Sequence, residues 1–498
     1  MAFERSTSTP LDFDTAGGHE RLGAMMDARQ GIHGIRVNPD KSADSPPAGP
    51  VGVGLGIDAK SVGRFTRPDD GALPTDTATF EGVRYPDDAH QAARARRYKH
   101  QNAAAKLLPG SRTANCLWAL TSIAEGVEII HNEQEGRARF SGVQTCGSVW
   151  GCPCCSGAIS DKRRDELNEA LAWARAEGLQ VVMVTLTGWH CKAEPLAEVY
   201  DDMKAAKKAW GQHRAMKAMR PKKGEAATDE RCIVGTVTAT ELTHGGNGWH
   251  PHFHVLLFVK ATTQADAIAK MERLRVPWLA SLEGRGRHGS GAAFRVDGAS
   301  KAGDYVAKWG AAEEITLSNK KNGKTRTKDG KAFKGRTPFG LLADYAEQND
   351  KQAGALFVEY FETVFGSRQL MWSPGLKERA GVGNVSDEQA AEEQASRAEQ
   401  DNADQVLDEF TPNEWREVRH ARAAILKFAE IFGRDGVRAV VQQARAQWAS
   451  APASVKRVWN WEARADEAQR KRKSTRAALK VRRAAIDAEQ KAKRKGKP

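Results

Sequence analysis

Two strand-forming segments around a glycine-rich turn constrain the fold of this chain more than any other feature. The first segment runs from Cys232 to Glu241, the turn spans Gly245 to Gly248, and the second segment runs from His252 to Phe258. β-Branched and aromatic residues favour strands, and glycines between two such segments favour a tight connection. The sequence therefore predicts a long antiparallel hairpin in the middle of the chain.

Further segments on either side of the hairpin complete a regular pattern. Val181–Thr187 is a β-branched run typical of a buried central strand, and an amphipathic stretch follows from Leu196 to Met219. After the hairpin come a second helical stretch at about 263–282, a strand from Ala292 to Val296 and a helix that begins near Ala299. The order β-α-β-β-α-β-α predicts the α+β class, with a split βαβ (ferredoxin-like or RRM-like) core and an antiparallel sheet.

The second hairpin strand begins with three histidines at alternate positions, His250, His252 and His254. Side chains two residues apart in a strand point to the same face, so the last two histidines can bind one ion while Phe253 faces the core. Glu241 on the other strand falls opposite His252 or the residue before it, and this one-residue choice of register decides whether its carboxylate joins the pair. His250 is an alternative ligand. The alternative that the histidines of this strand bind no metal also remains.

A tyrosine and a lysine lie one turn apart in the helix that begins near Ala299. Tyr305 and Lys308 are separated by three residues, so they share a face of that helix. A tyrosine hydroxyl has a pKa near 10 and is a poor nucleophile unless a cation stabilises its phenolate. A nearby ammonium and a phosphate polarised by a metal ion would supply this activation. Without such neighbours, a Tyr-Lys pair on a helix indicates only packing and solvation.

Three motifs, in this order and spacing, resemble those of the HUH endonucleases, in particular the rolling-circle replication initiators of bacterial plasmids. The motifs are Val184–Thr187 on a strand, Gly248–His254 with the histidine pair, and Tyr305–Lys308 with the tyrosine. The resemblance extends to Cys146–Cys155 upstream and to Leu370–Leu376 downstream, so it covers about 112–376.

The resemblance implies a metal-dependent, site-specific DNA nickase and strand transferase that starts plasmid replication. In such initiators a divalent ion, Mg²⁺ or Mn²⁺, polarises the scissile phosphodiester and the tyrosine oxygen attacks phosphorus. The products are a 5′-phosphotyrosyl bond and a free 3′-OH that primes leading-strand synthesis. By this resemblance His252 and His254 are metal ligands, and Glu241 is the third. Tyr305 is then the nucleophile and Lys308 its electrostatic helper.

The resemblance leaves the residue for the terminating cleavage open. Some initiators carry a glutamate four residues before the tyrosine, whereas this chain has Lys301 there. Asp304, Asp297 or another acid can activate water in that step, or a second protomer in a dimer on the DNA can supply its own Tyr305. The resemblance also implies single-stranded and origin plasmid DNA as substrates, and host helicase and single-strand binding protein as partners.

The cysteines predict a second metal site. Four of the seven lie within ten positions, which in a reducing compartment favours metal ligation over disulfides. Cys116, Cys146, Cys152 and Cys155 supply four thiolates for a closed tetrahedral Zn²⁺ site, with Cys154 as an alternative ligand. The Cys-x-x-Cys spacing of Cys152 and Cys155 also occurs in redox pairs, so the spacing alone does not decide between the two uses.

Composition and motifs divide the chain into six regions. They are a largely disordered N-terminal arm (1–97), a Cys-rich zinc subdomain (112–170), an HUH endonuclease domain (176–376), an acidic linker (385–410), a helical module (411–450) and a basic tail (451–498). The linker contains nine acidic residues between 387 and 409, and the helical module begins with a capping-box sequence at Thr411–Glu414. Most of the net charge of +13 lies in the tail, which suits a polyanionic partner.

Several classes of protein are excluded or remain as alternatives. The longest run of large apolar residues, Val255–Val259, is far too short to span a bilayer, and the first thirty residues lack the apolar segment of a signal peptide. We therefore expect a cytoplasmic protein with no membrane partner. An HUH-type single-strand transposase has the same chemistry. A histidine-triad nucleotide hydrolase would need neither metal nor Tyr305, and a zinc-stabilised DNA-binding regulator would need only the cysteines and the basic tail.

Overall fold

The computed structural model describes residues 78–308, the strand residues 325–326 and 332–333, and residues 335–396 and 404–453. Its helices and antiparallel sheets confirm the α+β class. Among the described residues, no helix has both the length and the apolar composition that a membrane span requires. The strands are β1 (Thr79–Phe80), β2 (Val83–Arg84), β3 (Val127–Asn132), β4 (Arg137–Ser141), β5 (Gln180–Leu186), β6 (Ile233–Gly245), β7 (Gly248–Val259), β8 (Phe294–Asp297), β9 (Thr325–Arg326), β10 (Ala332–Phe333), β11 (Leu370–Trp372) and β12 (Asp404–Phe410). The α-helices are α1 (Ala89–Leu107), α2 (Arg112–Asn115), α3 (Pro153–Ala176), α4 (Leu196–Gln212), α5 (Arg214–Ala218), α6 (Gln264–Glu272), α7 (Arg275–Glu283), α8 (Ala299–Lys308), α9 (Pro338–Gln348), α10 (Lys351–Val364), α11 (Leu376–Arg379), α12 (Asp387–Ser396), α13 (Pro412–Val418) and α14 (Arg422–Ser450).

The central sheet has five strands in the order β11-β6-β7-β5-β8, and each neighbouring pair is antiparallel. Alternate residues of β5 pack on opposite faces of this sheet. Val182 and Val184 belong to the core formed with α4, α6 and α7, whereas Val181 and Met183 face α3 and α8. Because both faces are covered, β5 is a continuous apolar run rather than an alternating one.

The hairpin that the glycine-rich turn predicts is present as β6 and β7. Its strands end with Gly245 opposite Gly248. Gly248 has a φ of +84°, which favours glycine, and a Cβ there would lie 2.9 Å from the Cα atom of Lys192. Of the two registers that the sequence leaves open, the structure has the one that places Glu241 opposite His252.

Both long helical stretches that the sequence predicts are broken once. In the first, His213 has an extended backbone, and its ring accepts the backbone N–H of Ala215 at the start of α5. The second breaks between α6 and α7, and Pro277 lies in the first turn of α7, where a missing backbone N–H costs no helical hydrogen bond. The elements from β5 to α8 nevertheless follow one another in the predicted order.

A second apolar core surrounds a three-stranded antiparallel sheet of order β12-β3-β4. The C-terminal helices α13 and α14 cover this sheet with fully buried side chains that include Trp415 and Phe428. Thr411 and Glu414 form the predicted capping box at the start of α13. The predicted helical module, 411–450, is therefore part of a mixed α+β core.

The prediction of a solvated linker at 385–410 is wrong for the residues that the structure describes. They form α12 and β12, and β12 pairs with β3. Leu407 and Phe410 are buried, and the Asp404 carboxylate accepts a hydrogen bond of 2.8 Å from Arg139. Arg139 and the neighbouring strand β3 thus stabilise the acidic strand β12, although both lie far from it in the sequence. The residues between α12 and β12 lie outside the described part.

The prediction of disorder for the arm 1–97 is wrong for its last twenty residues, which contain the β1–β2 hairpin and the start of α1. The Asp88 side chain caps α1, and the ring of Phe80 stacks on that of Phe432 with 4.3 Å between centroids. The partner of Phe80 is on α14, more than 300 positions away, which explains why local composition does not reveal this contact. Residues 1–77 lie outside the described part.

The predicted zinc subdomain, 112–170, is not a separate unit. Helix α3 continues past its end to Ala176, its strands β3 and β4 belong to the second core, and its cysteines belong to the core of the central sheet. Of the predicted basic tail, the structure describes residues 451–453.

One buried ion pair links α1 to α14, and it allows a prediction about stability. Arg94 and Glu430 form two hydrogen bonds of 2.5 and 2.9 Å, and both side chains are almost fully buried. We expect Glu430→Gln to lower the free energy of unfolding by about 3 kcal/mol, because it leaves a buried guanidinium without its counter-charge. Urea unfolding followed by tryptophan fluorescence measures this change.

The dependence of this effect on pH follows from Glu430. Burial alone would raise the pKa of its carboxyl, but the interaction with Arg94 outweighs burial and lowers that pKa. Its contribution to stability is therefore present above the pKa of an unfolded glutamate, and it is lost as the pH falls through the lowered pKa. The difference between wild type and Glu430→Gln should shrink in acid. Asp435→Asn, at an exposed ion pair with Arg438, is the control and should change stability by less than about 1 kcal/mol; an equal effect of both variants would contradict the assignment.

Candidate metal and tyrosine site

The histidines of β7 face a carboxylate on β6. His252 and His254 point to one face of the central sheet, whereas Phe253 is fully buried in the core on the opposite face. Glu241 lies directly across the hairpin from His252. The three side chains are half-buried, so strand alternation and register bring them together at a place that solvent can reach.

The imidazoles converge on one carboxylate oxygen. His252 Nε2 lies 3.0 Å and His254 Nε2 lies 3.6 Å from Glu241 Oε2. Ligand atoms that share a metal ion at about 2.1 Å are separated by similar distances. The group Glu241, His252 and His254 can therefore hold a metal ion.

Hydrogen bonds on the far side of each ring set its orientation. His252 Nδ1–H donates to the backbone carbonyl of His250 at 3.3 Å, and His254 Nδ1 lies 3.1 Å from Thr185 Oγ1. A carbonyl oxygen only accepts, so Nδ1 of His252 carries a proton, and Nε2 is the nitrogen directed at Glu241. In the neutral ring Nε2 has a lone pair and can bind a cation together with the Glu241 carboxylate, whereas in the protonated ring it donates to that carboxylate as an ion pair. This donor set therefore fits a bound cation.

The charge of Glu241 strengthens the same conclusion. Burial would raise the pKa of its carboxyl, but hydrogen bonds with His252 and His254 outweigh burial and hold the pKa well below its usual range. Glu241 is therefore an anion at neutral pH. One carboxylate and two imidazoles form a mixed nitrogen and oxygen site that suits divalent ions such as Mn²⁺ or Zn²⁺.

Helix α8 brings Tyr305 to the same face of the sheet. Ala302 and Val306 are fully buried and anchor α8 against the sheet. The Tyr305 ring packs beside the ring of His254, with 4.5 Å between centroids and 42° between ring planes. Lys308 is the last residue of α8, and its side chain lies outside the described part. The structure thus brings the predicted tyrosine next to the predicted metal ligands.

The two acids considered for the terminating cleavage lie in different surroundings. Asp304 is exposed on α8. Asp297 ends β8, where it accepts a hydrogen bond of 2.7 Å from Arg295. Thr185 on β5 pairs with Arg295 on β8 and with His254 on β7. The Asp297–Arg295 pair is therefore two strands away from His254, on the face of the sheet that carries the histidines. Neither acid contacts Glu241 or the histidines within the described residues.

Another histidine, His190, extends the row of imidazoles, and the sequence analysis missed it. Its ring lies 4.7 Å from the ring of His250, and the two Nδ1 atoms are 3.4 Å apart. His250 in turn lies 5.1 Å from the ring of His252, but it is not part of the group around Glu241. His190 is separated from His250 by 60 positions, so no local spacing indicates their contact.

The second metal-binding group consists of the four predicted cysteines. Cys155 Sγ lies 3.5 Å from Cys116 Sγ and 3.6 Å from Cys146 Sγ, and Cys152 Sγ lies 3.6 Å from Cys116 Sγ. Sulfur atoms at about 2.3 Å from a tetrahedral Zn²⁺ are about 3.8 Å apart, and all four thiols are buried. This group can hold a metal ion.

The elements around the cysteines explain why they gather. Cys152 precedes α3 and Cys155 lies in its first turn, where the helix dipole favours thiolates. Hydrogen bonds with Cys116 and the two other thiols lower the pKa of the Cys155 thiol well below its ordinary value. The alternative ligand Cys154 points away, with its sulfur 4.0 Å from the Arg97 carbonyl oxygen, and lies outside the group of four.

Side chains of α13 and α14 donate hydrogen bonds to the backbone immediately after Cys116. Arg422 donates to the carbonyl of Leu117 at 2.7 Å, and the Trp415 indole donates to that of Trp118 at 2.9 Å. The Arg422 guanidinium is buried, where it also donates to the side-chain oxygens of Gln101 and Asn102 and lies over the ring of Tyr98. These hydrogen bonds connect α13 and α14 of the second core to the segment that follows Cys116.

Comparison with known protein families gives similarity from β4 to the start of α6. Residues 137–266 match the family described as replication protein. A protein rep of Streptomyces lividans is 30% identical over 166 residues, which are 30% of this chain and 36% of that protein. A neomycin resistance protein of Streptomyces cyanogenus is 27% identical over 152 residues, which are 26% of this chain and 34% of that protein.

The matched segments therefore span about a third of the length of each relative. No solved structure matches this chain. The family match includes β5, both strands of the hairpin and three of the four cysteines, but it ends before Tyr305. Over residues 137–266, this chain is similar to the replication protein family.

Proposed function

We propose that this chain is a plasmid rolling-circle replication initiator of the HUH endonuclease type. The observation that carries the proposal is the convergence of Glu241, His252 and His254 beside the ring of Tyr305. A cation site and a tyrosine hydroxyl on one face of a sheet are the two components that tyrosyl transfer to a phosphodiester requires. The similarity to replication proteins supports replication over transposition.

The architecture around the site is consistent with this proposal. Strands β6, β7, β5 and β8 lie side by side in that order, and helices connect β5 to β6 and β7 to β8. This is the arrangement expected of a split βαβ core. The candidate metal ligands are on β6 and β7, the second and third strands of the five-stranded sheet, and the tyrosine is on the helix that follows β8.

The proposed reaction is a transesterification. A divalent ion, Mg²⁺ or Mn²⁺, held by Glu241, His252 and His254 would polarise the scissile phosphate and offset the charge that develops on its oxygens. Tyr305 Oη attacks phosphorus, the bond from phosphorus to the 3′ oxygen breaks, and a 5′-phosphotyrosyl bond forms. The tyrosine proton leaves to solvent and the 3′ oxygen takes up a proton. One phosphodiester bond replaces another, so the reverse reaction rejoins the strand.

The other proposed elements follow from the same function. The group of four cysteines holds a structural Zn²⁺, single-stranded and origin plasmid DNA are the substrates, and a host helicase and single-strand binding protein unwind and cover the template. Lys308 stabilises the phenolate of Tyr305. Asp304 or Asp297 activates water in the terminating step, or a second protomer supplies its tyrosine. A cytoplasmic location suits all of these partners.

The histidine-triad alternative has less support from the described contacts. It would require one of the three histidines to act as a nucleophile on a nucleotide phosphate. The His252 Nε2 atom instead faces the carboxylate of Glu241 at 3.0 Å, which would repel a phosphate unless a cation lay between them. A metal-dependent site therefore explains the arrangement better.

A cleavage assay with matched histidine variants tests the proposal. Labelled single-stranded oligonucleotides that tile the DNA upstream of the chain's own gene are incubated with the full chain and Mn²⁺, and products are resolved on a denaturing gel. We expect cleavage by wild type, and a loss of about 100-fold or more in His252→Ala, because one metal ligand is missing. EDTA should abolish cleavage by wild type.

Two other histidines complete this design. His244→Ala is the control, because the His244 ring packs on Trp249 and is not part of the metal group. It should leave the rate within about threefold of wild type. His250→Ala tests whether His250 is a metal ligand or only a neighbour of the metal group. Cleavage that is unchanged in EDTA and in His252→Ala would refute the metal-dependent function.

A further inference from the structure

The loop between β5 and α4 carries an exposed tryptophan close to the candidate site. Trp189 is 59% exposed, although large aromatic side chains generally bury most of their surface. The next residue, His190, contacts His250, whose ring contacts that of His252. His190, next to Trp189, is therefore connected to the candidate metal ligand His252 through the ring of His250.

The backbone of this loop is held in place on both sides of Trp189. Its N–H donates to the carbonyl of His288 at 2.8 Å, and its carbonyl accepts from the Arg287 guanidinium at 3.3 Å. Arg287 is itself buried and paired with Glu194 at 2.9 Å and Asp202 at 3.0 Å. The indole is thus presented to solvent by an ordered loop, which lowers the entropy lost when a ligand stacks on it.

The two loops that hold the tryptophan also carry exposed cations. Lys192 is in the same loop, and Arg285 is in the loop that contributes Arg287. Lys192 and Arg285 are both exposed, and the charge of Arg285 also acts on the carboxyl of Asp202, which Arg287 binds at 3.0 Å. An exposed aromatic ring with exposed cations in the same loops matches the chemistry of a nucleic-acid strand, which offers base faces for stacking and phosphates for charge pairing.

We propose that Trp189, with Lys192 and Arg285, binds single-stranded nucleic acid next to the cleavage site by stacking on a base that flanks the scissile phosphate. This inference rests on the proposed function, because that function is what brings a strand to His252. Stacking requires an unpaired base face, so the surface favours a single strand over a duplex. The tryptophan would also set where along the strand the scissile phosphate lies.

The experiment measures binding without cleavage. Fluorescence anisotropy of a labelled 12-nucleotide oligo(dT) is recorded with the full chain and no added Mn²⁺ or Mg²⁺, for wild type, Trp189→Ala and Trp189→Tyr, and again with a duplex of the same length. We expect the affinity of Trp189→Ala for the single strand to fall about tenfold, with a smaller change for duplex. Trp189→Tyr should remain within about threefold of wild type, because tyrosine also stacks.

Phe365→Ala is the matched control, because its ring is 47% exposed and it follows α10, away from the β5–α4 loop. It should bind the single strand as wild type does. Unchanged binding by Trp189→Ala, or an equal loss for single strand and duplex, would overturn the inference, as would a loss confined to Phe365→Ala.

Cleavage by the same proteins with Mn²⁺ separates this inference from the proposed function. If wild type cleaves and Trp189→Ala binds normally, the stacking inference fails and the function stands. If wild type does not cleave but Trp189→Ala loses single-strand affinity, the stacking surface stands and tyrosyl transfer fails.

Discussion

Replacement of Tyr305 by phenylalanine should abolish the covalent adduct between this protein and cleaved DNA. The variant lacks only the oxygen that forms the phosphotyrosyl bond, and the ring that packs beside His254 is kept. We expect the rate of adduct formation to fall by about 1,000-fold or more, since no other group replaces a lost nucleophile at its position. A 3′-labelled single strand reveals the adduct, because the protein stays on the 5′ phosphate of the labelled fragment.

Two buried tyrosines provide matched controls for this experiment. Tyr345 and Tyr360 lie in the core on the face of the sheet opposite His254. Burial raises the pKa of Tyr360 well above its ordinary value, which further disfavours its phenolate. Tyr345→Phe and Tyr360→Phe should both retain the adduct. An adduct that persists in Tyr305→Phe and disappears in either control would assign the nucleophile elsewhere.

Loss of the cysteine-bound metal should be the most destabilising single change in the described part of the chain. Cys155→Ser removes the sulfur that lies within 3.6 Å of two other thiols. Binding of a structural Zn²⁺ contributes on the order of 10 kcal/mol in small zinc domains, so we expect the variant to lose zinc and to unfold at much lower urea concentration. Zinc content by mass spectrometry and urea unfolding measure the two effects.

The position of the site predicts how this loss spreads through the molecule. Arg422 and Trp415 donate to the two residues that follow Cys116, so release of Cys116 should weaken the docking of α13 and α14. Limited proteolysis should then cut the C-terminal helices first. Cys154→Ser is the control, since Cys154 lies outside the group of four and should keep both zinc and stability. Zinc retained in Cys155→Ser, or lost in Cys154→Ser, would contradict the ligand assignment.

Much of the central sheet is predictable from short-range pattern. The β-branched run at β5 and the glycines between β6 and β7 indicate the sheet, because strand propensity and turn chemistry are local properties. The placement of His252 and His254 on one face follows from strand alternation alone. The cysteine group can also be predicted from the sequence, since three of its members lie within ten positions.

Other regions escape such patterns because their partners are distant in the chain. The acidic strand β12 forms because β3, more than 270 positions earlier, supplies its backbone partners. The hairpin β1–β2 and helix α1 are stabilised by α14 at the other end of the described chain. In both cases composition indicates a solvated segment, whereas tertiary contacts bury its apolar residues and neutralise its charges.

The sequence alone therefore determines which chemical groups this protein has and which of them share a strand or helix face, since backbone periodicity is a local property. The tertiary structure decides which of these groups meet. It selects the register that places Glu241 opposite His252, it brings Tyr305 on α8 to the ring of His254, and it places Trp189 near the same row of histidines. These contacts depend on how helices pack across a sheet and how loops end beside it, and long-range packing is encoded by the whole core rather than by any short segment.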